Sequence, residues 1–264
     1  MTVLKIINSL FPFLYTSKHL FKNFNYPKGI INFIGDFNKY RKIHALNGQH
    51  SFPLTIKDLF PFLFDRYDEA GSAPKHYFYQ DMWAAKKVLS KNTEFHYDIG
   101  SRLDGFISSC LLFTKVTMLD IRPLDLNVKN LNFIETNAMN MQNIESNTIQ
   151  SISSLHAIEH FGLGRYGDPI NPNGYIEAIN EIQRITSSEG TIIFSVPIGL
   201  ERLEFNAHRV FNPNTIINLF NQCELLELSI IDDDENFIEN IDLNQMGMYE
   251  NLNYGCGLFH FKKN

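Results

Sequence analysis

Two stretches of this chain combine residue types and spacings that could do chemistry. The first is Asp98-Ile99-Gly100-Ser101-Arg102-Leu103-Asp104-Gly105, where the apolar run at 95–99 enters a glycine-punctuated turn and then a helix-like segment. A strand, a glycine turn and a helix start in that order present backbone N–H groups to a nucleotide-like ligand. Twenty residues after Gly100 a second apolar run ends in Asp120, and a carboxylate there can accept from both hydroxyls of a ribose diol. The second stretch is His156-Ala157-Ile158-Glu159-His160. It spells H-x-x-E-H, which holds zinc when both histidines stand on one helix. That chemistry needs a continuous helix and a third ligand. Here an apolar run directly precedes His156, and Gly162, Gly164 and Gly167 follow His160 closely. A zinc hydrolase built on His156 and His160 is therefore the lesser reading, and no metal ligand is assigned.

The elements that must position these groups follow from the rest of the chain. Its 264 residues, 44% hydrophobic and 13% aromatic, are enough for one large core with appendages. A formal net charge of −6, with Lys86-Lys87 and Lys262-Lys263 as isolated basic pairs, argues against a nucleic-acid footprint. Cys110, Cys223 and Cys256 are far apart and lack metal-binding spacing, which fits buried thiols in a reducing, cytoplasmic compartment. Strands are expected at 95–99, 115–119, 131–135, 149–155, 191–196, 224–230 and 254–261. Helices are expected at 104–113, 174–186 and 213–221, with a further helical spacing at Phe78, Met82, Ala85 and Leu89. This alternation predicts an α/β fold, a doubly wound, mostly parallel seven-stranded sheet, whose ligands bind outside the carboxyl ends of the strands.

Residues 1–74 read as a partly helical N-terminal extension and candidate lid, and residues 75–264 as the catalytic-type domain, with Gly71-Ser72-Ala73-Pro74 as the boundary. Val3–Tyr15 is apolar but interrupted by Asn8, Ser9 and Pro12 and too short to span a bilayer. It is expected to be an amphipathic helix, with a membrane-surface anchor as the alternative.

Taken as a set, these features resemble the class I S-adenosylmethionine-dependent methyltransferases. The matching positions are Asp98, Gly100 and Gly105 at the first turn, Asp120 after the second strand, and Asn137-Ala138 after the third. Ser154-Leu155-His156-Ala157-Ile158-Glu159-His160 matches after the fourth, followed by the helix at 174–186, Gly190 and the strand to Pro197. More closely, the runs Gly162–Pro169, Ser195–Gly199 and Glu204–Phe211 are similar to the DUF268 family, a domain of unassigned function. The resemblance implies a Rossmann-like fold and S-adenosylmethionine as cofactor. It implies a cofactor site drawn from Asp98, Gly100, Ser101, Arg102, Gly105, Asp120, Asn137, Ala138, Leu155 and His156.

Three departures stand out. Arg102 replaces the second glycine of the first turn, where it either pairs with the carboxylate of the methionine moiety or crowds the pocket. Asn137 replaces the usual aspartate, and Gln150 stands where an aspartate commonly precedes the fourth strand. They leave open a non-catalytic, scaffolding protein on the same fold.

Methyl transfer to a hydroxyl needs a general base within hydrogen-bond reach. His160 and His208 are the candidates, because histidine titrates nearest neutral pH. Arg165 and Arg209 offer planar donor forks for an anionic acceptor, with Tyr166, Asp168 and Asn206 beside them. The expected acceptor is a small polar molecule, phosphorylated or nucleotide-linked, from surface-glycan synthesis. Neither nucleic acid nor a transmembrane segment is expected.

Overall fold

A computed structural model describes residues 26–46, 59–63, 66 and 75–264; the expected helix at Val3–Tyr15 lies outside the described residues. The chain divides into two units, Met1–Ser72 and Ala73–Asn264. In the first, helix α1 (Tyr26–Leu46) falls within the stretch read as a partly helical extension. Within this unit Gly29 lets the helix approach the backbone of Leu63, whose carbonyl oxygen would lie 2.6 Å from an added Cβ. None of the described helices is long and apolar enough to cross a membrane.

The second unit is built on an eight-stranded sheet. Its strands are β1 (Phe95–Ile99), β2 (Lys115–Asp120), β3 (Leu131–Glu135), β4 (Ile149–Leu155), β5 (Thr186–Ile198), β8 (Cys223–Ile231), β9 (Phe237–Ile238) and β10 (Gly255–Lys263). A separate hairpin pairs β6 (Arg202–Glu204) with β7 (His208–Val210). The spatial order is β3-β2-β1-β4-β5-β10-β8-β9. Strands β1 to β5 are parallel, and β10 runs antiparallel between β5 and β8. The seven expected strands are all present. The eighth, β9, is a two-residue edge whose shortness leaves little periodicity to detect. Order reverses between β1 and β4, so the crevice at their carboxyl ends is the topological switch point where open α/β sheets bind ligands.

Burial on both faces explains the near-continuous apolar run of β5, where residues 190–198 are all buried. Helix α4 (Gly174–Ile185) turns Ala178, Ile179, Ile182 and Ile185 inward at helical spacing. They join Phe194, Phe220, Phe259 and Phe261 in the larger core cluster. Helix α5 (Pro213–Leu219) starts on Asn212, whose side chain accepts from the Asn214 N–H, with Pro213 pre-set for the first turn. On the opposite face, helix α2 (Lys75–Lys91) contributes Trp83, Ala84, Ala85 and Val88 to a second cluster with Phe106, Ile107 and Leu258. The helix expected at 104–113 is shorter: a π-helical turn, Leu103–Ile107, continuing into α3 (Ser108–Cys110).

Strand β4 departs from the apolar rule with Ser151, Ser153 and Ser154, all buried. Each is satisfied. His96 on β1 bonds Ser151 Oγ through Nδ1 (2.8 Å) and Ser153 Oγ through Nε2 (2.9 Å), while Ser154 Oγ donates to the Ile99 carbonyl (3.1 Å). A fully satisfied polar seam of this kind is tolerated in a core, where an unpaired group would cost free energy.

Candidate active site

The carboxyl ends of β1, β2 and β4 open into one cleft of about 690 Å³, whose wall includes Gln80, Asp81, Arg102, Glu159, His208 and Tyr254. A smaller pocket beside it is lined by Gly100, Asp120, Asn137, Ala138, His156 and Asp168. Gly100 has φ of +69°, and a Cβ there would stand 3.0 Å from that of Ala157. The turn therefore needs glycine both for its left-handed backbone and for its close approach to the loop after β4. Gly105 brings the chain against Asp81: an added Cβ would lie 1.9 Å from Asp81 Oδ2 and would displace the end of that side chain. The π-helical turn thus sits directly against α2.

Asp98 does not face the cleft. Its carboxylate is fully buried and accepts from the Ser101 N–H (3.0 Å), the Ser101 hydroxyl (2.6 Å) and the Ser153 hydroxyl. Burial nonetheless pushes it up to about 6. Its place is beneath the turn, which it pins, and Ser101 Oγ in turn accepts from the Leu155 N–H (3.2 Å). Leu155 and Ala138 are buried in the walls. Arg102 lies on the cleft wall, outside the core. Its guanidinium is bidentate to Asp104 (2.7 and 3.1 Å), 62% exposed, and lies 5.4 Å from the Tyr77 ring centroid.

At the end of β2, Asp120 is only 14% exposed. Both its oxygens are held by the Arg122 guanidinium (2.7 and 3.0 Å), and Oδ1 also accepts the Arg122 N–H (2.9 Å). Arg122 lies over Tyr166, 4.5 Å from the ring centroid. Asn137 spends its carbonyl oxygen on the Met139 N–H (3.0 Å), an Asx turn that shapes the loop after β3.

After β4, Ile158–His160 form a single 3-10 turn, not the long helix that the H-x-x-E-H reading would require. His156 takes φ of +49°. The two imidazoles instead bracket Glu159, whose Oε1 lies 3.0 Å from His156 Nδ1 and 3.6 Å from His160 Nε2. Glu159 is 1% exposed, and its Oε2 has no hydrogen-bond partner among the described residues. His160 donates from Nδ1 to the Ala207 carbonyl (2.6 Å), which leaves Nε2 as the unprotonated nitrogen of the neutral ring. Burial lowers its affinity for a second proton. His208 stands alongside, with ring centroids 6.4 Å apart, and its Nε2 lies 3.2 Å from Glu204 Oε2. Both expected base candidates thus converge on one wall.

The expected acceptor residues divide. Arg165 stays at the rim, where it donates to the Ala207 carbonyl (3.0 Å), and Tyr166 meets His160 edge-on. Asp168 is a loop organiser, accepting from the N–H groups of Gly162 (2.7 Å), Gly164 (3.3 Å) and Tyr166 (3.2 Å). Asn206 touches the Leu163 carbonyl only at 3.5 Å, in the β6–β7 turn. Arg209 is 8% exposed and donates to the carbonyls of Glu159, Phe161 and Pro172. Its fork is turned onto the carbonyls of the loop after β4, and it does not line the cleft that Arg165 borders.

Sequence reading missed His76, Gln80, Asp81, Arg122, Cys256 and Tyr254. His76 Nε2 lies 3.0 Å from His156 Nε2, and Tyr254 packs on His208 with centroids 5.1 Å apart. Apart from Arg122 these residues come from α2, from β10 and from the residue before it, too far along the chain for any spacing to have joined them to His156. Arg122, two residues after the expected acid, was the one within reach of a local signal.

The strand order and the antiparallel β10 define the class I methyltransferase fold, and solved structures bear this out. A Burkholderia thailandensis 1,6-didemethyltoxoflavin-N1-methyltransferase with bound S-adenosylhomocysteine superposes with a TM-score of 0.52 at 11% identity, over 71% of this chain and 79% of its own. The YcgJ protein of Bacillus subtilis gives 0.50 at 14% identity, over 70% and 98%. The [4+2]-cyclase SpnF gives 0.52 at 9% identity, over 69% and 80%. At such identities the likeness is one of fold. Within that fold class the chain belongs to the family described as Caenorhabditis protein of unknown function, DUF268, whose model matches residues 113–254. No curated protein matches it in sequence.

Proposed function

We propose that this protein is an S-adenosylmethionine-dependent methyltransferase that O-methylates a small polar acceptor, such as a sugar, nucleotide-sugar or phosphorylated intermediate of surface-glycan synthesis. The observation that carries the reading is convergence. The positive-φ Gly100 turn, the Asp120 carboxylate and the His160/His208 wall share one crevice at the carboxyl ends of parallel strands. The Burkholderia enzyme on the same fold holds S-adenosylhomocysteine.

The residues present fit such a cofactor. Gly100 leaves backbone space beside Ala157, and Asp120 stands where a ribose diol would be met once Arg122 releases it. Asn137 and Ala138 line the pocket that would take the base. Bound there, S-adenosylmethionine supplies an electrophilic methyl group on a sulfonium. The chain's own part is to orient the acceptor, exclude water and take the acceptor's proton. His160 Nε2 is the atom best placed for that proton, because the Ala207 carbonyl fixes the opposite tautomer. Arg165 and Tyr166 form the rim that would meet a charged acceptor.

The test is formation of S-adenosylhomocysteine across a panel of nucleotide sugars and phosphorylated metabolites. His160→Ala is expected to cut turnover about 100-fold or more, the range general bases contribute, with cofactor affinity unchanged. No turnover with any acceptor, in a protein that binds the cofactor, would favour the non-catalytic reading. Unchanged turnover in both His160→Ala and His208→Ala would remove the base assignment.

A further inference from the structure

A cluster of metal-ligating side chains stands beside the cleft. His76 on the first turn of α2, His156 after β4 and Cys256 on β10 bring an imidazole nitrogen, a second imidazole nitrogen and a thiol sulfur all within 4.8 Å of one another. The two Nε2 atoms face each other at 3.0 Å. A tetrahedral ion with metal–nitrogen bonds of about 2.0–2.1 Å and a metal–sulfur bond of about 2.3 Å holds its ligand atoms roughly 3.3–3.6 Å apart. The cluster is within a small adjustment of that spacing.

Two further features point to a ligand rather than to packing. His156 is aimed into the cluster by its other nitrogen, Nδ1, which bonds Glu159 Oε1 at 3.0 Å. A carboxylate behind a histidine, fixing its tautomer and ring orientation, is the usual support of a metal-bound imidazole. Glu159 itself is 1% exposed and its second oxygen, Oε2, is buried with no partner among the described residues, on the wall of the cleft. The donors also select the kind of ion. Two imidazoles and a thiol suit a borderline or soft transition metal and not magnesium or calcium, which take oxygen ligands.

We infer that His76, His156 and Cys256 form a binding site for a divalent transition metal, zinc foremost, on the wall of the cleft, with Glu159 as the positioning residue behind His156. Three protein ligands leave one coordination position to be filled from outside the protein, the arrangement that separates reactive zinc sites from closed structural ones. His156 belongs both to the cluster and to the cleft wall, so an ion here would border the acceptor and offer it a Lewis acid. The site uses His156 without His160, and so differs from the H-x-x-E-H reading of the sequence. It does not depend on S-adenosylmethionine binding.

The test is metal binding by the purified full-length chain, read with zinc and then with cobalt. Zinc is expected at about one per chain after gel filtration. Cobalt is expected to show a thiolate charge-transfer band that Cys256→Ser abolishes and Cys223→Ser retains. His76→Gln, at the partly exposed start of α2, should weaken binding while leaving the fold intact, and Glu159→Gln should weaken it about 10- to 100-fold. No retained zinc and no cobalt band in the folded wild type would overturn the site, as would a band that survives Cys256→Ser. Binding of S-adenosylmethionine, measured separately, leaves either result standing.

Discussion

Individual residues divide into those whose chemistry faces the cleft and those whose chemistry is spent internally. Asp98 and His96 belong to the second kind, joined through Ser153 Oγ. Burial lowers His96 to about 3 and raises Asp98 to about 6. The signs are opposite. A histidine depressed below its unfolded value contributes stability present above about 6.5 and lost as pH falls. An aspartate raised above its unfolded value contributes stability present below about 3.9 and lost as pH rises through 6. Between pH 6.5 and 5 the two offset one another. Asp98→Asn removes the offset, so the variant should lose about 1 kcal/mol more than the wild type over that window in paired urea titrations. Parallel stability curves would contradict the buried pair. The same distinction explains what the sequence could not disclose. Asp98 and Arg209 have the right residue types in the right places, but type and spacing do not reveal whether a carboxylate or a guanidinium is already occupied by Ser101 and Ser153, or by three carbonyls.

At the scale of elements, α2 does more than its apolar spacing announced. The helix was legible from Phe78, Met82, Ala85 and Leu89, yet of these only Ala85 is buried. The buried face runs instead through Gln80, Trp83, Ala84 and Val88, because Trp83 and Lys87 lean on Glu227 of β8. Trp83 Nε1 donates to Glu227 Oε1 (2.8 Å), Lys87 pairs with Oε2, and Ser229 Oγ also donates to Oε1 (2.8 Å). Glu227→Ala would strand the buried indole N–H and is expected to cost about 1–3 kcal/mol. Because α2 carries His76, Tyr77 and Asp81 to the site, the loss should appear as faster hydrogen exchange across Lys75–Lys91 than across β1 and β4. Uniform exchange would show that the helix is held by its apolar face alone. The hairpin β6–β7 escaped the sequence because three-residue strands show no period, although it places His208 beside His160.

For the whole molecule, the sheet was the most legible part. A parallel strand buried on both faces reads as a near-continuous apolar run, as β5 does, and the bounds expected for β1, β3 and β4 are the ones observed. Order in space was not readable in that way. That β10 inserts between β5 and β8, bringing Cys256 to the carboxyl edge beside His156, is a consequence of long-range pairing. The central claim is that this carboxyl edge receives S-adenosylmethionine. Titration calorimetry of the folded protein with S-adenosylmethionine and S-adenosylhomocysteine tests it most directly. Saturable binding of both is predicted, weakened about tenfold or more in Asp120→Ala, the loss of roughly one charge-assisted hydrogen bond. Absence of heat from either ligand up to millimolar concentration would contradict it.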